Sequence, residues 1–245
     1  MIILGDIGNT DTKICVVSNN KIIKRILIPS KGKKTHILNQ YFKKFEFSRV
    51  KKILFCSVVP STFKELKIYF KKKTKIKCFE LKKLNLRSIL KIDVNFKQVG
   101  SDRLANAISV SIKNKNFIIL DFGTATTFDV LIGNNYKGGI ISPGIKLSLN
   151  TLSDKASLIP KIDLKKMSKV IGKDTKSAVR SGFFWGYAGL IDNIINLINK
   201  ETKKSFKVVV TGGFSKLFRD SIKTKVKQDF DITINGLIRA SKLIK

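Results

Sequence analysis

The sequence predicts a duplicated α/β fold with a cleft between its halves. An apolar strand running into an Asp-x-Gly-[Asn/Thr] turn occurs twice, at Asp6-Ile7-Gly8-Asn9 and at Asp121-Phe122-Gly123-Thr124. Each copy is followed by two more strand-like segments and then by helix and strand segments, so one order runs twice. A chain of 245 residues is also long enough to bury two modest cores.

Each element has its own local reason. Residues 2–4, 14–17 and 22–28 are apolar strands of a meander, and Asn19-Asn20 is the turn joining the second to the third. Residues 35–45 place Ile37, Leu38, Tyr41, Phe42 and Phe45 on one helical face. Residues 53–59 form a continuous apolar run, hence a buried strand, ended by Pro60-Ser61. Ser61 is the expected N-cap of a helix over 62–70, and residues 76–81 make the next strand. A helix is expected over 103–112, and the plainer alternative for Ser101 or Asp102 is the N-cap of that helix. In the second half, strands are expected at 117–120, 128–132 and 136–141, helices at 145–152 and 177–199, and a strand at 206–210. A Thr211-Gly212-Gly213 turn and a helical stretch from Asn235 close the chain. No low-complexity linker marks a boundary. The division is placed near Val99, giving lobes 1–99 and 100–245, with the helix that begins near Gly100 bridging them.

Composition narrows the function. No apolar run reaches the roughly 18 residues of a membrane span, and Gly5 and Asp6 interrupt the apolar start before a signal-peptide core forms. The expected location is the cytoplasm, with no membrane partner. Cys15, Cys56 and Cys78 are odd in number, widely spaced and set in apolar stretches, so they read as reduced core residues. His36, the only histidine, has no second ligand nearby in sequence. The net charge of +32 invites nucleic acid as a partner. Against that, the excess is mostly lysine spread over the whole length, as an AT-rich coding genome would produce, and no nucleic-acid-binding motif accompanies it. The densest run, Lys71 to Lys77, reads as a solvated turn between helix and strand.

The two Asp–Gly turns carry the chemistry. Glycine lets the backbone approach a ligand, and successive N–H groups in such a turn form a concavity for anions. A carboxylate at its edge can hold a hydrated cation. Two such turns facing each other would grip the phosphates of a nucleotide with its metal. A single turn could be no more than a hairpin in which Asp6 bonds its own backbone; the second copy argues otherwise.

Further motifs stand in register. Asp6-Ile7-Gly8-Asn9-Thr10-Asp11-Thr12-Lys13, Gly100-Ser101-Asp102-Arg103 and Asp121 through Asp129 come in that order. Gly138-Gly139-Ile140-Ile141-Ser142-Pro143-Gly144, then Thr175 with Ala178 and Gly182, then Thr211-Gly212-Gly213 and Asp231 through Leu237 follow. Together these resemble the type III pantothenate kinases, a branch of the acetate and sugar kinase, heat-shock ATPase and actin superfamily. The resemblance covers nearly the whole chain and implies a duplicated ribonuclease-H-like, actin-like ATPase fold, with two lobes and a nucleotide cleft between them.

The resemblance also implies roles. The chain would phosphorylate pantothenate with ATP, the first step towards coenzyme A, as a homodimer with Mg²⁺ and a monovalent cation, K⁺ or NH₄⁺. Asp6 would orient Mg²⁺ through water, and Ile7, Gly8, Asn9, Thr10, Asp11, Thr12, Lys13 and Thr124 would contact ATP. Asp102 would be the general base. Gly100, Ser101, Arg103 and Thr175 would join Asp102 in holding pantothenate, unless Thr175 is only a helix cap. Asp121 would bind the monovalent cation, and Gly212 and Gly213 would pass close to the adenosine. Asp129 has no firm role. The chain departs from the family pattern where a tyrosine usually precedes Gly100: residues 92–99 contain none, and Phe96 stands where proline is common. Two alternatives therefore stay open, a related kinase acting on another small alcohol and a non-enzymatic accessory factor in transcription. Ser101 in place of the usual alanine reads as harmless.

Overall fold

The computed structural model describes residues 1–32 and 34–244. The first elements are β1 (Ile2–Ile7), β2 (Asp11–Ser18), β3 (Lys21–Pro29), α1 (Thr35–Tyr41), β4 (Lys52–Ser57), α2 (Pro60–Thr74) and β5 (Cys78–Glu80). Next come β6 (Lys91–Ile92), α3 (Ser101–Val110), β7 (Asn116–Phe122), β8 (Ala125–Ile132), β9 (Asn135–Pro143), α4 (Ile145–Lys155) and α5 (Thr175–Thr202). The chain ends with β10 (Lys207–Gly212), α6 (Ser215–Phe218), β11 (Val226–Gln228) and α7 (Ile232–Ala240). Single 3₁₀ turns fill several connections.

The sheets repeat one plan. The first has the order β3-β2-β1-β4-β5, and β9-β8-β7-β10-β11 repeats it place for place. β1 pairs antiparallel with β2 and parallel with β4; β7 pairs antiparallel with β8 and parallel with β10. This is the ribonuclease-H-like arrangement, present twice. Asn19 and Asn20 both take positive φ, 49° and 60°, as a two-residue hairpin turn between β2 and β3 requires.

Backbone contacts divide the chain into two compact units. One comprises Met1–Ser111, Asn134–Tyr136 and the residues from Asp231 onward; the other comprises Ile112–Gly133 and Lys137–Phe230. α3 and α7 therefore group with the first unit. So does β6, whose Lys91 and Ile92 pair with Asn135 and Tyr136.

In the first unit, Ile3, Ile14, Ile53 and Phe55 of the sheet pack with Leu38, Leu66 and Phe70 from α1 and α2. α3 and α7 pack on each other, with α7 also on β1 and α3 on β4. A Cβ on Gly236 would lie 1.8 Å from the Ala105 carbonyl oxygen, so only glycine allows this crossing. Arg239 of α7 donates to the carbonyls of Ile108, Ser109 and Ser111 and so satisfies the open C-terminal end of α3. In the second unit, Phe184, Ala188, Ile191, Ile195 and Ile198 recur every three or four residues along α5 and face the sheet.

Several expected boundaries move. α1 stops at Tyr41. α2 begins at Pro60, whose missing N–H costs nothing in a first turn, so Ser61 lies inside the helix and is not its cap. α2 also continues to Thr74, so Lys71, Lys72 and Lys73 belong to its last turn, where cations suit the helix dipole. α7 starts at Ile232, three residues before Asn235.

Candidate active site

In the first unit, β1 carries Asp6 to its C-terminal end, and the following hairpin closes with Gly8 N–H donating to the Asp11 carbonyl at 3.0 Å. Asn9, Thr10 and Asp11 are exposed at the tip, whereas Ile7 is completely buried and offers a ligand only its backbone. Thr12 is completely buried too, its hydroxyl 2.8 Å from that of Ser30. Ser30 N–H also donates to the Thr10 carbonyl at 2.8 Å, so Thr12 and Ser30 support the turn from below. Lys13 is the cross-strand partner of Asp6.

α3 brings the second carboxylate. Its N-cap is Gly100, and no side chain caps it, so the alternative of Ser101 or Asp102 as a plain N-cap does not hold. Ser101 is buried and its hydroxyl donates to Glu80 Oε1 at 2.5 Å. Asp102 Oδ1 accepts from Arg103 N–H at 2.8 Å. A Cβ on Gly100 would come within 2.5 Å of that same oxygen, so glycine there makes room for the Asp102 carboxylate. Asp102 stands in the first turn of α3, where the helix dipole favours an anion. Arg103 is partly buried beside it.

Asp6 and Asp102 feel each other. Burial, and then the charge of Asp102, push the Asp6 pKa up to about 6, against a hydrogen bond from Cys56 and the charge of Lys13. Two crowded carboxylates with hydroxyl-bearing neighbours form a hard-oxygen donor set that suits a divalent cation. Among the described residues, no group of three or more His, Cys, Asp and Glu side chains could hold a metal by itself.

In the second unit, Asp121 stands near the end of β7 and is partly buried. Gly123 N–H donates to the Ala125 carbonyl at 3.1 Å, and Thr124 is exposed at the tip. A Cβ on Gly144, the residue before α4, would meet the Thr124 carbonyl oxygen at 2.0 Å, so the Gly138–Gly144 segment closely supports this turn. The Thr211-Gly212-Gly213 turn lies against it as well, with Gly213 N–H donating to the Phe122 carbonyl at 3.1 Å. Asp129 is completely buried in β8. Thr175 is exposed as the first residue of α5. It does not cap that helix: Asp174 does, in a reciprocal capping box with Ser177.

Duplicated ribonuclease-H-like units, each with an Asp–Gly turn at the end of its first strand, define the fold class of the actin-like ATPases and sugar kinases. The model of the type III pantothenate kinase family matches residues 2–197. A type III pantothenate kinase of Pelagibacter ubique (strain HTCC1062) is 64% identical over the full length of both chains. The chain belongs to the type III pantothenate kinase family.

Among solved structures, one of a Campylobacter jejuni protein described as a Baf family transcriptional activator has a TM-score of 0.65 at 19% identity and covers 98% of this chain and 97% of its own. A glucokinase from an Antarctic psychrotroph has a TM-score of 0.53 at 10% identity and covers 98% of each chain. At these identities the likeness is one of fold alone.

Sequence reasoning missed Cys56 and Glu80. Each reads as an ordinary strand residue in its own segment. The missed signal was register: β1 and β4 are parallel neighbours, and pairing their apolar runs sets Cys56 opposite Asp6.

Proposed function

We propose that the protein transfers the γ-phosphoryl group of ATP to the primary hydroxyl of pantothenate, giving 4′-phosphopantothenate, with Asp102 as the general base. The observation that carries this is the state of Asp102. Its carboxylate begins a well-braced helix, is not spent on capping, and lies near enough to Asp6 to raise that residue's pKa. Asp102 takes the hydroxyl proton as the oxygen forms its bond to the γ-phosphorus. The bond from phosphorus to the β–γ bridging oxygen breaks, and ADP leaves.

Mg²⁺ bound with ATP would neutralise charge on the β- and γ-phosphates. Asp6 would orient it through water, while the 7–13 hairpin supplies backbone N–H groups, the exposed Asn9 and Thr10, and the charge of Lys13. Asp121 would hold K⁺ or NH₄⁺, and Thr124 would bond a phosphate. Gly100, Ser101 and Arg103 would hold pantothenate with Asp102, the Arg103 guanidinium meeting its carboxylate or polar groups. Thr175, left free of capping duty, would contact the same substrate. The lobes 1–99 and 100–245 would be the two copies of the duplication, a division by descent and not by compactness.

A homodimer is supported by the exposed apolar residues Ile141, Leu147, Leu158, Val170, Ile171 and Trp185, all in the second unit. No helix among the described residues is long and apolar enough to cross a membrane. Action in the cytoplasm, without a membrane or a specific nucleic-acid partner, is part of the same proposal.

The test is a coupled phosphorylation assay with ATP and pantothenate, run with and without K⁺. Wild type should turn over and respond to K⁺, while Asp102→Asn should lose about 10²-fold or more in kcat with its fold intact. An inert wild type under all metal and salt conditions would end this reading. A second reading, another small alcohol as acceptor, is favoured by the lack of a tyrosine in residues 92–99, ahead of Gly100. A panel of hydroxy acids and polyols in the same assay decides between them.

A further inference from the structure

The register of β1 against β4 places Cys56 beside Asp6. The Cys56 side chain is completely buried, with Sγ 3.4 Å from Asp6 Oδ1 and 3.7 Å from the Gly5 carbonyl oxygen. A thiol has one hydrogen to give, and the carboxylate is the better acceptor. The thiol is enclosed with a carboxylate oxygen and a carbonyl oxygen in reach, both of them acceptors, so it acts as the donor.

We infer that Cys56 is a positioning residue for Asp6: its S–H anchors Oδ1 and so presents the other carboxylate oxygen, Oδ2, in one orientation to the metal–phosphate group. This rests on the reading that Asp6 orients that group. The anchor is built into the sheet. β1 and β4 are held by their ladder, so the two side chains keep their separation whether or not nucleotide is bound. Lys13, the cross-strand partner of Asp6 on β2, gives charge from a flexible stem and cannot fix an orientation in the same way.

Two measurements test this, one independent of turnover. The S–H stretching band of Cys56 is isolated by subtracting the Raman spectrum of Cys56→Ala from that of wild type. It should lie at the lowered frequency of a hydrogen-bonded thiol and move up in Asp6→Ala. A Cys56 band unmoved by Asp6→Ala overturns the contact. In the kinase assay, Cys56→Ala should raise KM for Mg·ATP about fivefold, with KM for pantothenate unchanged and thermal unfolding close to wild type. Cys56→Ser, which restores a donor, should return KM to within about twofold of wild type. A general loss of packing would lower both substrates' affinities and melting together, and serine would not rescue it; that pattern overturns the inference. So does an unchanged KM in Cys56→Ala while Asp6→Asn is inactive, an outcome that leaves the role of Asp6 standing. A fully active Asp6→Asn would instead remove the reading beneath it.

Discussion

Asp6 shows what the proposed phosphate site costs its own fold. Its pKa of about 6 lies above the ordinary 3.8, so the folded chain holds the proton more tightly than the unfolded chain does. The stability this contributes is fully present below about pH 3.8 and is lost as pH rises through about 6. At neutral pH the resting protein therefore carries a buried charge it would be better without. Asp6→Asn should make the ligand-free protein more stable by about 1 to 2 kcal/mol at pH 7.5, with the gap closing towards pH 4. Urea unfolding at the two pH values measures this, and a variant less stable at pH 7.5 would contradict it. The same variant should lose the stabilisation that Mg·ATP gives wild type. At this scale the turns that follow Asp6 and Asp121 were legible in the sequence because an Asp beside a glycine is a local pattern. Cys56 was not, because its partner lies 50 residues away and only strand pairing brings the two together. The alternative cap role of Ser101 fails for a related reason: its hydroxyl goes to Glu80, on a different element.

At the scale of elements, α3 is the part on which the proposed base depends. It is fixed at its start by Ser101 and Glu80, along its length by Gly236, and at its end by Arg239. Gly236→Ala forces a methyl group into the Ala105 carbonyl and should destabilise the protein by about 2 to 3 kcal/mol. Arg239→Ala strips donors from three carbonyls at the end of α3 and should cost about 2 kcal/mol or more. Both should lower kcat more than they raise KM for ATP, because the first phosphate turn is carried by β1 and β2. Calorimetry with steady-state kinetics checks the pair; variants as stable as wild type would show that α3 is held otherwise. The long amphipathic helix and the apolar strands were readable from period alone, as the spacing of Phe184 through Ile198 illustrates. The helix starts were harder. Pro60 opens α2 without a side-chain cap, and the α5 cap is Asp174, just outside the expected span. β6 and β11 have two and three residues and include lysines, too little pattern for a strand to be recognised.

For the molecule as a whole, the charge of +32 is a background and not a site. Some of it has local use, such as the lysines closing α2, and Lys34 is buried against Glu65. The remainder repels itself. Raising salt from about 0.05 to 0.3 M should increase the melting temperature, since the Debye length falls below the spacing of most surface charges. Binding to single-stranded DNA, if measured at low salt, should fall steeply over the same range and show no sequence preference. A site-specific complex that survives physiological salt would contradict this. The repeated strand order was legible because each half announces itself with the same turn. Assignment of α3 and α7 to one compact unit was not, since it depends on Gly236 meeting Ala105 across 131 positions.

That assignment bears on how the polypeptide is made. Residues from Asp231 onward complete the unit to which Met1 also belongs, while Ile112–Gly133 and Lys137–Phe230 make up the other. On the ribosome, the unit built on the first sheet must wait, unfinished, until α7 clears the exit tunnel, whereas the middle stretch is whole before α7 is made. A nascent chain ending at Phe230 and held clear of the tunnel by an inert linker should thus shield Phe184 and Ile191 from protease while Ile3 and Leu104 stay open to cleavage, reversing the usual order in which the first-translated part of a protein matures first.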